Sequence, residues 1–65
     1  MTNYIQFESP LIKNQYRIAI FKNDKLYDVC EQPTLMAIDR FVQKTYSTYE
    51  VRKHNGEVIN SVLDL

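Results

Sequence analysis

Hydrophobic and polar residues alternate in short runs along most of this chain, and once, between Pro33 and Ser47, the period lengthens to that of a helix. Asn3–Glu8 sets Ile5 and Phe7 on one side and Gln6 and Glu8 on the other, the two-residue period of a half-buried strand. Ser9-Pro10 ends it, because proline removes a ladder donor, and Leu11–Gln15 reads as a connection. Tyr16–Phe21 is the clearest strand, with Tyr16, Ile18 and Ile20 against Arg17, Ala19 and Phe21. Lys22-Asn23-Asp24-Lys25 follows. Asn and Asp tolerate the positive φ of a tight hairpin, so Leu26–Cys30 is the returning strand. A two-residue turn at Asn23-Asp24 pairs Phe21 with Leu26, Ile20 with Tyr27 and Ile18 with Val29. This register gathers Tyr16, Ile18, Ile20, Tyr27 and Val29 on one face. Arg17, Ala19, Phe21, Leu26, Asp28 and Cys30 fall on the other.

Gln32-Pro33-Thr34 reads as a helix start, with Thr34 as the cap, and the helix runs over Thr34–Tyr46. Leu35, Ile38, Phe41, Val42, Thr45 and Tyr46 fall within an arc of about 140° at 3.6 residues per turn. Met36 lies off that arc, beside Arg40 and Gln43. Thr48–Lys53 returns to strand alternation, with Tyr49 and Val51 opposed to Glu50 and Arg52. Asn55-Gly56 is the strongest hairpin signal in the chain. Glu57–Leu63 is then a return strand, although Val58, Ile59, Val62 and Leu63 also fit a helical turn. The order β-β-β-α-β-β predicts an α+β fold: a two-layer, mostly antiparallel sheet of four or five strands with one amphipathic helix on one face.

Size and charge restrict what such a domain can do. The chain has 65 residues, one domain's worth, and a chain this short buries only roughly 60% of its unfolded surface. One cysteine excludes an internal disulfide, so the support must come from a tight apolar core or from association. Eight basic and eight acidic residues balance, and each half of the chain carries four of each. Counterion release on a nucleic acid needs a cationic surplus, so the balance argues against nucleic acid and favours a protein partner. No run approaches the ~20 apolar residues of a membrane span. The amino terminus lacks a basic start followed by an apolar stretch. Together with the unpaired Cys30 this reads as a cytoplasmic protein.

Chemical equipment is sparse. His54 precedes a turn with no Ser, Cys or carboxylate at a diagnostic spacing, and is read as a solvated turn residue. Cys30 stands near a helix start, which could activate a thiolate, but a half-buried small hydrophobe is the simpler reading. No carboxylate pair suggests matched acid and base, no glycine-rich loop could cradle a phosphate, and nothing indicates a metal or cofactor. Arg52-Lys53-His54 is read as a solvated hairpin end. The expectation is a non-enzymatic protein.

One helix covers one sheet face. If it covers the Ile18/Ile20 side, Phe21 and Leu26 are left beside each other in the open, rimmed by charge, a pattern of contact surfaces. The alternative is that Asn3–Glu8, the Leu11-Ile12 loop or the C-terminal tail folds over them. The candidate partner-binding residues are Arg17, Phe21 and Leu26 on the sheet, with Met36 and Arg40 on the helix as a second patch.

The layout of Tyr16–Phe21, Leu26–Cys30, Thr34-Leu35-Met36-Ala37-Ile38 and Tyr49-Glu50-Val51-Arg52, a hairpin, a capped helix and a Tyr-Glu-Val strand, resembles small bacteriophage inhibitors of bacterial RNA polymerase. More loosely it resembles small anti-CRISPR proteins. The resemblance spans residues 16–53 and carries over no functional residue. It implies a phage protein that occludes a surface of a bacterial host or defence factor, acting in the host cytoplasm. Two further expectations stand beside it: binding of single-stranded nucleic acid by sheet aromatics, and a homodimer whose open faces pack together.

Overall fold

The structure, a computed structural model, describes residues 2–8 and 15–65. Five strands, one α-helix and a C-terminal 3-10 turn follow in the order β1 (Tyr4–Phe7), β2 (Tyr16–Lys22), β3 (Lys25–Gln32), α1 (Leu35–Thr45), β4 (Glu50–Arg52), β5 (Val58–Ile59) and the turn Val62–Asp64. The strands form one sheet in the order β3-β2-β1-β4-β5. The predicted α+β class and element order hold. Ser9-Pro10 and most of the Leu11–Gln15 connection lie outside the described residues.

Chain direction in the sheet follows from the helix. Short turns make β2 antiparallel to β3, and β4 antiparallel to β5. The helix lifts the chain off the β3 edge and sets it down beyond β1, so β4 runs parallel to β1. This mixed pairing makes β1 the central strand, flanked by β2 and β4.

The core lies between the sheet and the helix. Ile5 and Phe7 from β1, Ile18 and Ile20 from β2, Cys30 from β3 and Val51 from β4 meet Ile38, Val42 and Tyr46 from α1 and Val62 from the C-terminal turn. No polar or charged side chain is buried among the described residues. The helical arc is therefore read correctly at Ile38, Val42 and Tyr46, with Leu35 and Phe41 partly buried against the core. Thr45 is the exception and is exposed. At the helix start, the Thr34 hydroxyl accepts a hydrogen bond from the Ala37 N–H at 3.1 Å, satisfying one of the orphan donors of the first turn.

The β2–β3 register departs from the sequence expectation. The tight turn forms as expected, with Asn23 and Asp24 both at positive φ (54° and 64°) and Phe21 opposite Leu26. One step on, Ile20 lies opposite Asp28, Ala19 opposite Val29 and Ile18 opposite Cys30. Tyr27 is thus an extra residue on β3, a β-bulge. The expected Ile20–Tyr27 and Ile18–Val29 pairs do not form. Cys30 moves to the core face and Val29 to the opposite one. Core packing selects this register: it places a small apolar thiol, rather than β-branched Val29, over Ile18 on the helix side.

The second hairpin is also looser than its Asn55-Gly56 signature suggests. Lys53 N–H donates to Glu57 O at 2.8 Å and Gly56 N–H to Lys53 O at 2.9 Å. The loop is therefore the three residues His54-Asn55-Gly56, closed by glycine at φ 91°, a conformation that suits glycine alone among common residues. The return strand is only Val58–Ile59, not Glu57–Leu63. Ser61 then caps the 3-10 turn through its hydroxyl, which accepts from Leu63 N–H at 3.2 Å. The turn drops Val62 into the core.

Candidate interaction surface

The sheet face turned away from α1 is organised in rows that cross the strands. Ladder partners on one face stand side by side, so the register defines each row. The first contains Tyr4, Phe21 and Leu26, the second Gln6, Ala19 and Val29. The third contains Glu8, Arg17 and Glu31: Arg17 pairs with Glu31 in the ladder, and Glu8 N–H donates to Arg17 O at 3.0 Å. From β4, Glu50 stands beside Tyr4 and Arg52 beside Gln6.

The first row is aromatic and apolar. The Tyr4 and Phe21 rings stack with centroids 4.7 Å apart and planes 13° from parallel. The Arg52 guanidinium lies 3.9 Å from the Tyr4 ring centroid and donates to Glu50 Oε2 at 2.6 Å. Glu50, Arg52, Tyr4 and Phe21 thus form a continuous stack across three strands, ending on Leu26, which is 61% exposed. In the middle row Ala19, though on this face, is only 5% exposed. It is the smallest side chain of its row and floors a shallow depression of about 360 Å³ lined also by Gln6, Phe7, Glu8, Phe21 and His54. Gln6 Nε2 donates to His54 O at 3.2 Å and ties the β4–β5 loop to the rim.

The third row is electrostatically closed. Arg17 is paired with Glu8 and with Glu31 (3.2 Å). Its pKa is raised still further by the hydrogen bond to Glu31 and by the charge and hydrogen bond of Glu8. Lys53 pairs with Glu57 at 2.9 Å on the adjoining hairpin. Every guanidinium on this face already has a carboxylate.

The five residues singled out from the sequence separate into two places. Arg17, Phe21 and Leu26 share the open face, with Phe21 and Leu26 direct cross-strand partners. Met36 (61% exposed) and Arg40 lie one helical turn apart on α1, on the opposite side of the sheet. Asp28 and Cys30, expected on the open face, belong to the other one because of the bulge. Asn3–Glu8 runs beside β2 as a strand, and of the two apolar residues it shields only Phe21, on one side, through the Tyr4 ring, leaving Phe21 half-buried and Leu26 exposed. The C-terminal tail packs on the helix side through Val62. The Leu11-Ile12 loop lies outside the described residues. Tyr4, Arg52 and Val29 join the open face without having been singled out. For Tyr4 and Arg52 the signal was present, since each alternates with a core residue, Ile5 or Val51.

Groups that could do covalent chemistry are poorly placed for it. Burial pushes the Cys30 thiol pKa up, the reverse of what a nucleophile needs at neutral pH. His54 is an exposed loop residue. Among the described residues no cluster of three or more His, Cys, Asp or Glu side chains could hold a metal ion. Among the described residues no helix is long and apolar enough to cross a membrane. Set against family models, curated proteins and solved structures, the chain matches none.

Proposed function

We propose that this chain is a non-enzymatic protein-binding module that occludes a surface of its target through the open sheet face. The observation that carries the reading is the row Tyr4, Phe21 and Leu26, apolar and aromatic, on a face over which no other described element packs. Aromatic side chains on a rigid sheet supply contact area at low entropic cost. The depression floored by Ala19 can receive a side chain from the partner. Met36 and Arg40 on the helix form a second, separate contact. The resemblance to small phage inhibitors makes a bacterial host or defence factor, such as RNA polymerase or CRISPR machinery, the target class.

Nucleic-acid binding is the weaker reading on physical grounds. Tyr4 already stacks on Phe21 and carries Arg52 over its ring, and the face's two guanidiniums hold carboxylates. A phosphate would have to displace them. Fluorescence anisotropy with short RNA and DNA at low salt tests this reading, and no binding at high micromolar protein dismisses it. Self-association through the open face is read by light scattering; a monomer at high concentration removes it.

The main test is affinity capture from a bacterial lysate, with mass spectrometry of what co-purifies. Phe21→Asp and Leu26→Asp each abolish capture of the partner held by the wild-type chain, while the amide NMR spectrum stays dispersed. Capture that survives both substitutions in folded protein overturns the open-face reading. Phe21→Asp unfolding the domain would place Phe21 in the framework, and Leu26→Asp, at a far more exposed position, then decides.

A further inference from the structure

The tip of the β2–β3 hairpin has a different character from the face it adjoins. Lys22 and Lys25 are direct cross-strand partners, and like charges placed opposite each other on a ladder repel. Among the described residues neither has a carboxylate within 4 Å, whereas Arg17, Arg52 and Lys53 all do. Arg40 and Lys44 are also unpaired, but they project from a convex helix. The two tip lysines instead line a concavity of about 480 Å³ together with Asn23, Leu26 and Tyr27. Leu26 and Tyr27 are among the most exposed large hydrophobic residues of the chain, at 61% and 60%. Asp24 lies in the turn and does not line the concavity.

The tip is also held in place. Asn3 Oδ1 accepts from Asn23 N–H at 2.9 Å, and Thr2 O accepts from Asp24 N–H at 3.1 Å. Both central residues of the turn are therefore anchored to the residues just before β1. The bulge at Tyr27 brings its ring under Lys22, whose Nζ is 5.3 Å from the ring centroid. Two unrelieved cations and two uncovered apolar side chains are thus preorganised at one site, which lowers the entropic cost of docking there.

We propose that the β2–β3 hairpin tip docks an acidic segment of the protein partner, with carboxylates on Lys22 and Lys25 and an apolar side chain against Leu26 and Tyr27. The inference rests on the reading of the chain as a protein-binding module and gives that partner a chemistry. A carboxylate between the lysines removes the repulsion that the tip carries when free. A peptide suits the site better than a nucleic acid, because the site offers two cations rather than a phosphate track.

The probe is a peptide Glu-Glu-Phe-Glu-Glu with blocked ends, titrated into the ¹⁵N-labelled full chain and followed by amide shifts. Shifts cluster on residues 22–27 and weaken as salt is raised. The double variant Lys22→Glu/Lys25→Glu keeps a dispersed spectrum and loses about tenfold in affinity. The charge-reversed peptide Lys-Lys-Phe-Lys-Lys produces no such cluster. Absent shifts, shifts located elsewhere, an unchanged affinity in the double variant, or equal binding of the lysine peptide each overturn the proposal. Tighter binding of oligothymidylate at the same residues overturns it in favour of a nucleic acid. Because the double variant leaves Phe21 intact, failure here with capture still lost in Phe21→Asp removes this inference alone and leaves the open-face reading standing.

Discussion

The two faces of the sheet solve opposite problems. The covered face is dry: Ile5, Ile18, Ile20 and Ile38 are wholly buried, with no polar side chain among them. Its stability is the burial of apolar area, roughly 25 cal/mol per Å². The open face retains its polar groups and satisfies them with ion pairs, Arg17 with Glu8 and Glu31 from the neighbouring strands, Arg52 with Glu50 along β4. Exposed ion pairs of this kind contribute about 0.2–1 kcal/mol each. What they do is occupy both guanidiniums of the face, with three carboxylates against two guanidiniums, so neither cation is left to attract an anionic partner. The difference teaches that the covered face holds the fold, while the open face is free to be used. In the proposed reading, attraction on the open face comes from the Tyr4, Phe21 and Leu26 row, and long-range attraction from the hairpin tip.

The largest effect separates the faces by register. Deleting Tyr27 removes the extra residue of the bulge and leaves Cys30 opposite Ile18 and Val29 opposite Ala19, so the domain folds. Deleting Val29 with the bulge in place moves Cys30 opposite Ala19 on the open face and brings Glu31 opposite Ile18 on the core face, so the domain does not fold. Circular dichroism and amide dispersion of the two deletions read this directly. A folded Val29 deletion with an unfolded Tyr27 deletion reverses the assignment of faces.

This bulge is also where sequence reading reached its limit. The alternation of Ile5/Phe7 and of Ile18/Ile20, the Thr34 cap and the arc of Ile38, Val42 and Tyr46 are local patterns, legible because each is set by backbone geometry over a few residues. A bulge is chosen by tertiary packing. Nothing within Leu26–Cys30 says that Tyr27 is the residue left over, and a regular ladder placed Tyr27 and Val29 where Asp28 and Cys30 lie. The parallel β1–β4 pair is non-local for the same reason, and with it the stack of Arg52 on Tyr4. The core of the candidate site, Phe21 opposite Leu26, was legible because it lies on the turn side of the bulge. The split of Val58–Ile59 from the turn at Val62 was only half visible, since that segment fits both periods.

Next in size is a pair of truncations, one from each face. Ile18→Ala opens a cavity in the closed core and costs about 2–5 kcal/mol, a large share of the stability of so small a domain. Phe21→Ala loses the stack on Tyr4 and costs about 1 kcal/mol. Urea denaturation of the two variants measures the difference. Equal losses would mean that the Phe21 row is as much a part of the framework as the core.

A smaller effect tests the closed electrostatics of the open face. Arg17→Ala leaves Glu8 and Glu31 facing each other across the vacated position. The cost is small and shrinks as salt rises. Denaturation at low and high salt checks it. A loss that does not depend on salt would assign Arg17 a packing role through its aliphatic stem.

The smallest effect comes from the covered face and is read by pH. Burial raises the Cys30 thiol pKa in the fold. An acid that holds its proton longer when folded contributes stability that is fully present below its unfolded pKa, about 8.5 for a thiol. That stability declines as pH rises through this value, because the unfolded chain then binds fewer protons than the folded one. Burial raises the Tyr46 phenol pKa as well, but its ordinary value is near 10, so its decline begins at higher pH. Between those two values Cys30 adds a downward slope. Cys30→Ala therefore flattens the fall in unfolding free energy across that window and leaves the fall above it, as urea denaturation at successive pH values would record. An unchanged slope in Cys30→Ala would mean that the thiol is not shielded by the core as its place opposite Ile18 requires.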